Sequence, residues 1–149
     1  MLETEVGFTR RYLSHSESDT ARAAEEIARE LHPGDLVKFT GGLGVGKTTF
    51  TRYLTAALGS MDDVSSPTFA LVHRYRGPVP VCHYDMYRIH TFDDLYSTGF
   101  FDDLESGAVL VVEWSENVAG FLPEGGVRID IRQTGETDRE ITAEGGPFG

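Results

Sequence analysis

Residues 41–50, GGLGVGKTTF, hold glycines, a lysine and a threonine at the spacing G-x-x-x-x-G-K-T. Glycines let a backbone curl until successive N–H groups point inward at phosphate oxygens. Lys47 adds a full positive charge for the outer phosphates, and the Thr48 hydroxyl is suited to a magnesium ion. A helix that begins near Lys47 adds the positive end of its dipole. The stretch predicts a nucleotide site with contacts from Gly42, Leu43, Gly44, Val45, Gly46, Lys47, Thr48 and Thr49.

A magnesium ion at Thr48 needs a nearby carboxylate, because Mg²⁺ prefers oxygen ligands and keeps several waters. Residues 109–113, VLVVE, form an apolar run that suits a strand buried on both faces. Glu113 ends that run, and it is the first candidate for a metal ligand or a water-organising acid. The alternative is an ordinary glutamate that faces solvent at a strand end.

A second acidic candidate lies in CHYDMYR, residues 82–88. Strand periodicity places His83, Asp85 and Tyr87 on one face. Asp85 could align an attacking water or hold a metal-bound water. We expect His83 to be a hydrogen-bonded structural histidine, and Arg88 to contact either a phosphate or a surface carboxylate.

Two further positions have both a functional and a structural interpretation. SSPTF, residues 65–69, follows the glycine-rich loop by about twenty residues, where many nucleotide switches sense the outer phosphate. Ser66 and Thr68 offer hydroxyls for such a contact, and an ordinary turn is the alternative. Trp114 follows Glu113, so strand alternation turns it away from that acid and into the core. The alternative for Trp114 is a contact surface near the nucleotide.

The elements that position these residues alternate between strands and helices. This order predicts a three-layer α/β domain of the P-loop NTPase type with a largely parallel sheet. Without a repeat or a linker, residues 1–149 are predicted to form a single domain, frayed at the last few residues. The predicted strands span residues 6–13, 35–40, 69–75, 81–87, 108–113, 127–132 and 139–142, and the predicted helices span 20–31, 47–58 and, broken at Gly99, 91–105.

The net charge of −11 limits the possible partners. Only two lysines are present, Lys38 and Lys47, and the arginines are scattered. A protein that binds DNA or RNA by itself normally carries a basic stripe, so direct and strong binding is not expected. The acidic surface suits a basic protein partner, or it serves solubility alone. No run approaches a membrane span, no export signal is recognisable, and the single Cys82 fits a reducing cytosol.

Four motifs in this order resemble the TsaE family, formerly YjeE, the ATPase of bacterial tRNA threonylcarbamoyladenosine biosynthesis. The motifs are GGLGVGKTTF, SSPTFALVHRY, HYDMYRI and VVEWSE, with SESDT before the first helix and DREI near the end. They spread over residues 12–142. The loop alone is unspecific, whereas the ordered set of S-P-T-F, H-x-D-x-Y-R and E-W-x-E is specific.

The resemblance implies a small P-loop fold that binds ATP or ADP with Mg²⁺. Thr48 and Glu113 would approach the metal, Lys47 the phosphates, and Asp85 would support hydrolysis. Thr68 would belong to a switch, and Glu17 and Arg139 would contact the adenine side. The loop departs from the family where it begins Gly41-Gly42 instead of Gly-Asp, and where Val45 replaces a common alanine. Both departures lie outside the glycine, lysine and threonine positions that define the phosphate-binding motif.

Family members work in a complex with the TsaB and TsaD proteins, and TsaD modifies adenosine 37 of tRNAs that read codons beginning with A. The resemblance therefore implies a cytoplasmic subunit with those two partners and only an indirect relation to tRNA. Neither DNA nor a membrane is implied. The acidic charge agrees, since the partners would handle the tRNA.

Three other functions remain open at the level of sequence. A small-molecule kinase of this fold usually has an arginine-rich lid, for which only Arg74, Arg76 and Arg88 are available. A GTPase usually selects guanine with an N-K-x-D segment, but no lysine follows Lys47. A nucleotide-binding subunit without turnover is compatible with every motif.

Overall fold

Seven strands form a single sheet in the computed structural model, which describes residues 9–40, 46–64, 71–123 and 125–145. The helices are short, and none in the described part of the chain is long and apolar enough to cross a bilayer. The strands are β1 Thr9–Ser14, β2 Leu36–Thr40, β3 Val72–Tyr75, β4 Val81–Asp85, β5 Val109–Glu113, β6 Val127–Gln133 and β7 Arg139–Gly145. The helices are α1 Glu17–Glu30, α2 Lys47–Ala57, α3 Phe92–Ser97, α4 Phe100–Glu105 and a 3-10 turn at Ser115–Val118.

The centre of the sheet is parallel, as the alternating elements predicted. Its strand order is β1-β7-β6-β2-β5-β4-β3. The strands β6, β2, β5 and β4 are joined by parallel pairings, whereas β3, β7 and β1 add antiparallel edges. Short turns explain the antiparallel pairs β3–β4 and β6–β7, because a short turn can only return the chain antiparallel. The β1 strand instead pairs with β7, which lies at the opposite end of the sequence. The parallel pairings bring the carboxyl ends of β2, β4 and β5 to one edge.

Helices cover both faces of the sheet and give the three predicted layers. Along β2, Val37 and Phe39 face a core that includes α1 and α2, whereas Leu36 faces a core with α3 and α4. Side chains of a strand alternate between faces, so each buried strand supplies both cores. The β5 strand is buried at every position, as its unbroken apolar run predicted. Cys82 lies in the second core, where burial raises the pKa of its thiol to about 11.

Most predicted elements agree with the structure, and one agreement and one difference are informative. The helical segment 91–105 is divided into α3 and α4 at Gly99, which has a φ of 89°, as predicted. The strand predicted over 81–87 is wrong at its end, because β4 stops at Asp85. Residue 71 precedes β3, and residues 6–8 and 69–70 of the predicted strands lie outside the described residues.

A glycine pair before β6 offers a test of how tightly the strand entry is packed. Gly125 and Gly126 have φ values of 86° and 83°, but a Cβ on Gly126 would lie 2.7 Å from the Leu36 carbonyl oxygen. A Cβ on Gly125 would meet nothing within 4 Å. We expect Gly126→Ala to lower the free energy of unfolding by about 3 kcal/mol, and Gly125→Ala by about 1 kcal/mol. Urea unfolding of both variants measures the difference, and equal losses would contradict the close packing.

Candidate nucleotide site

Several of the predicted site residues lie at the carboxyl edge of the parallel strands. Lys38 of β2 pairs in register with Val112 of β5, so Glu113 lies beside the last residues of β2. Ser115 Oγ donates a 3.3 Å hydrogen bond to the Phe39 carbonyl, which fixes the segment after β5 against the end of β2. In open α/β sheets, ligands bind at this edge.

Helix α2 begins at that edge without a side-chain cap. Its cap residue is Gly46, which has a φ of 106° in the left-handed region where glycine is favoured. The first N–H groups of an α-helix have no partner within the helix, so they can bind an anion. Thr48 and Thr49 lie in this first turn and are half-buried. The predicted contacts Gly42, Leu43, Gly44 and Val45 lie outside the described residues.

Lys47 is the first residue of α2 and is buried, with an exposure of 7%. Its Nζ lies 5.4 Å from the centre of the Trp114 ring. An ammonium over an indole face is attracted by the negative face of the ring. The Lys47 ammonium is therefore held at the edge of the sheet against Trp114, which directly follows Glu113.

Glu113 is buried and hydrogen-bonded to a buried histidine. Its Oε2 lies 2.6 Å from Nε2 of His83, which is fully buried on the adjacent strand. His83 Nδ1 has no hydrogen-bond partner, so the proton belongs on Nε2, where it is donated to the carboxylate. His83 was expected to be a hydrogen-bonded structural histidine, and its hydrogen-bond partner is Glu113, the first acidic candidate for the site. The alternative of a solvent-facing Glu113 is wrong.

Asp85 lies next to Glu113 across the pairing of β4 and β5. It is half-buried, and its Oδ1 accepts a 3.0 Å hydrogen bond from the Tyr87 N–H. The Asp85 N–H donates to the carbonyl of Leu71 at 2.9 Å. Leu71 lies two residues after the predicted switch, residues 65–69, whose Thr68 lies outside the described residues.

Trp114 does not continue the alternation of β5. The strand ends at Glu113, and Trp114 has a φ of 59° and a ψ of 37°, in the left-handed region. Its ring is partly buried against the second core, and it also contacts Tyr87 at 5.0 Å between centroids. The core role expected for Trp114 is confirmed only in part, because its ring packs against the second core while the turned backbone also brings it to Lys47.

A cavity of about 260 Å³ borders the start of α2. Glu17 and Arg139, the two predicted adenine-side residues, both line it with Gly46 and Thr49. A Cβ added to Gly46 would lie 3.8 Å from Arg139 Nε, so this arginine covers the entrance to α2. The remaining lining residues are Ser14, Ser16, Thr20, Ile131, Glu136, Thr137 and Ile141.

The cavity contains residues that the sequence analysis did not assign to the site. Thr20 was interpreted only as part of the helical pattern, but its hydroxyl is 2.7 Å from the buried Ser14 Oγ beside the cavity. Glu17 accepts a hydrogen bond from Tyr53 of α2. Glu136 and Thr137 belong to the turn between β6 and β7. Their only sequence signal was proximity to Arg139, which is too weak to assign a contact.

The predicted residues that the structure describes therefore form two groups near the start of α2. Lys47, Asp85 and Glu113 lie at the carboxyl edge of the sheet, and Glu17, Thr49 and Arg139 surround the cavity. Arg88 is exposed in the loop after β4. Arg74 and Arg76 form 2.8 Å ion pairs with Asp103 and Asp62.

The donors at the edge fit a magnesium ion. Glu113 offers a carboxylate, and its bond to His83 uses Oε2, which leaves Oε1 for a cation. Thr48 offers a hydroxyl in the first turn of α2. Hard oxygen donors of this kind, completed by water and phosphate, are those that Mg²⁺ prefers.

P-loop nucleotide-binding proteins have a sheet with parallel central strands and a helix that begins after a glycine at the carboxyl edge of those strands. The described residues have this arrangement. A solved structure, the crystal structure of Bacillus subtilis YdiB, superposes with a TM-score of 0.73 at 28% identity. The match covers 93% of this chain and 86% of that one. The chain thus shares its fold with a solved structure, and the fold is of the predicted α/β class.

Sequence comparison identifies the family. The sequence profile described as "Threonylcarbamoyl adenosine biosynthesis protein TsaE" matches residues 14–141. A Treponema pallidum protein named tRNA threonylcarbamoyladenosine biosynthesis protein TsaE is 38% identical over 89% of this chain and 98% of its own length. The Bacillus subtilis protein of that name is 35% identical over 83% of this chain and 78% of its own. The chain belongs to the TsaE family.

Replacing His83 tests whether it positions the Glu113 carboxylate. We expect His83→Leu to weaken Mg²⁺-dependent nucleotide binding about 10- to 100-fold, because the carboxylate loses the donor that orients it. His83→Gln, which keeps an N–H donor, should lose less. Calorimetric titration of ADP with and without Mg²⁺ separates the effect on the metal from a general loss of structure. Equal losses with and without Mg²⁺ would contradict the positioning role.

Proposed function

We propose that this chain is the Mg²⁺-dependent, ATP-binding and ATP-hydrolysing subunit that acts in forming N6-threonylcarbamoyladenosine at position 37 of tRNAs. The tRNAs concerned read codons that begin with A. The observation that carries the proposal is the edge where Lys47, Asp85 and Glu113 meet the start of α2. Family membership supports the assignment to threonylcarbamoyladenosine biosynthesis, and the residues at this edge support nucleotide binding and hydrolysis.

The two groups of residues suggest how a nucleotide would lie. The nucleoside would occupy the cavity between Glu17 and Arg139, and the phosphates would cross Gly46 to reach Lys47. A buried lysine and the first N–H groups of α2 would then neutralise the phosphate charge from the protein side. The planar guanidinium of Arg139 would suit stacking on a flat base at the entrance.

Hydrolysis would use the two acids in different ways. A bound Mg²⁺ ion would neutralise charge on the outer phosphates. Thr48 and Glu113 would hold the ion, with His83 fixing the Glu113 carboxylate. Asp85, half-buried and next to Glu113, would orient the attacking water. Its bond to Leu71 would connect that role to the segment that contains Thr68.

Two observations bear on the partners and on the main alternative. The net charge of −11 suits basic protein partners, which in this family role are the TsaD and TsaB proteins in the cytoplasm. With tRNA handled by those partners, the contact of this chain with tRNA would be indirect. A small-molecule kinase has less support, because Arg74 and Arg76 are engaged with carboxylates.

The test is ATP hydrolysis by the purified chain with Mg²⁺, alone and with TsaB and TsaD from the same organism. We expect little turnover alone and clear stimulation by the pair. Omission of Mg²⁺ provides the control. Absence of stimulation would favour the kinase alternative, and small hydroxylated metabolites would then be screened as phosphate acceptors.

A further inference from the structure

Four aromatic rings form a surface cluster on the side of the sheet that carries α3 and α4. We name the side chains of Phe92, Tyr96, Phe101 and Phe121 the aromatic face. The Phe92 ring lies 6.2, 5.7 and 6.0 Å from the rings of Tyr96, Phe101 and Phe121, and Tyr96 lies 6.2 Å from Phe101. The cluster therefore joins α3, α4 and the segment after the 3-10 turn into one apolar surface.

The outer rings of this cluster are exposed to solvent. Tyr96 is 67% exposed and Phe92 is 47% exposed, whereas Phe101 and Phe121 pack below them against the second core. Packing of the fold explains the inner pair and leaves the outer pair without a structural role. Contiguous exposed aromatic surface on a water-soluble domain marks interaction sites, and Tyr and Phe are enriched at the centres of protein interfaces.

The surroundings of the aromatic face are strongly acidic. Residues 89–127 contain eight carboxylates and no lysine or arginine, although the whole chain has 13 basic residues. Asp93, Asp102 and Glu105 are exposed on α3 and α4 beside the rings. One nearby cation, Arg74 of β3, is already paired with Asp103. The rim of the face is therefore negative.

We propose that the aromatic face docks a protein surface that has an apolar centre and a basic rim. The charge selects this occupant, because opposite potentials attract and like charges across an interface cost several kcal/mol. A second copy of this chain would oppose carboxylates to carboxylates, and tRNA would oppose them to phosphates. The inference rests on the proposed function, in which the occupant belongs to the TsaB and TsaD pair.

The face is connected to both acids of the candidate site. The chain runs from Asp85 through Tyr87 into α3, and from Glu113 through Trp114 to Phe121. The Asn117 side chain joins these two paths, since its Nδ2 donates to the carbonyls of Met86 at 3.1 Å and Tyr87 at 2.9 Å. A partner on the aromatic face would thus hold the two segments that carry Asp85 and Glu113, and its binding would alter turnover.

The first test removes the exposed rings. We expect the double variant Phe92→Ala/Tyr96→Ala to bind the purified TsaB–TsaD pair at least about tenfold more weakly than the wild type. It should also lose the stimulation of ATP hydrolysis by the pair, while its ADP affinity stays unchanged. Met61→Ala and Leu13→Ala are the controls, because these apolar side chains are 94% and 57% exposed outside the face.

The second test reverses charge on the rim without touching the rings. We expect Asp93→Lys/Asp102→Lys to slow association with the pair and to weaken its dependence on salt, since steering by the rim is electrostatic. Glu25→Lys, on the exposed side of α1, changes charge elsewhere and should have little effect. Thermal unfolding of each variant checks that the fold is retained.

The outcomes separate this inference from the proposed function. If the wild type binds the TsaB–TsaD pair and both face variants bind it more weakly, the docking surface is supported. If both variants bind the pair as tightly as the wild type does, the docking surface is overturned and the proposed function is left intact. A wild type that binds ADP but neither binds nor responds to the pair overturns both the partners and the face. Dimerisation of the wild type that Phe92→Ala/Tyr96→Ala abolishes would assign the face to a second copy and overturn the inference.

Discussion

Replacing Lys47 by alanine is expected to abolish measurable affinity for ATP and ADP, a loss of at least about 100-fold. Lys47 is the buried cation at the start of α2, and the other lysine of the chain, Lys38, lies within β2. Charge-assisted contacts to phosphate in a partly buried site are among the strongest single interactions that a side chain makes. Backbone N–H groups alone would leave the phosphate charge only partly neutralised. Calorimetric titration with ADP and Mg²⁺ measures the loss.

A matched variant distinguishes the role of the cation from a change in net charge. Arg52→Ala removes an exposed positive charge from the same helix and should leave ADP affinity within about twofold. Thermal unfolding of Lys47→Ala checks that α2 remains folded. Unchanged affinity in Lys47→Ala would remove the central argument for a phosphate cradle, whatever happens to turnover.

The order of elements was predictable because it depends on local patterns. The apolar run of β5, the helical spacing of α1 and the break at Gly99 are each set by residues within a few positions of one another. Prediction failed where a strand ended, as at Asp85. There a turn stabilised by the Asp85 carboxylate and the Tyr87 N–H ends β4, although the alternation of the letters continues.

The site was predictable only in part, for a related reason. The residues of the phosphate motif are neighbours in sequence, so their spacing alone is enough to predict a chemistry for them. The contact between His83 and Glu113 depends instead on the register of two strands 30 residues apart, which no local pattern encodes. The position of the Trp114 ring over Lys47 depends on a single left-handed backbone conformation after β5.

Glu113→Gln is expected to spare folding and nucleotide binding without Mg²⁺, to weaken Mg²⁺-dependent nucleotide binding at least as much as His83→Leu does, and to reduce ATP turnover about 100-fold or more. The amide retains an oxygen that can accept the His83 N–H, so no buried donor is left unpaired. It loses the negative charge that the metal requires, and electrostatic stabilisation of the transition state is usually the largest single contribution to catalysis. Glu113→Ala should lose turnover to the same extent and also destabilise the fold, because His83 Nε2 would then be buried without a partner.

Asp85→Ala should reduce turnover to a similar degree for a different reason, the loss of a group that orients water. Glu116→Gln provides the common control, since this exposed carboxylate lies three residues beyond Glu113 and outside the pairing of β4 and β5. Measured turnover of the stimulated complex decides both roles, and near-normal turnover in either variant rejects the role of that residue alone. A dependence on Mg²⁺ concentration that shifts in Glu113→Gln but not in Asp85→Ala would assign the ion to Glu113. The same shift in both variants would mean that the two neighbouring carboxylates act on the metal as one unit.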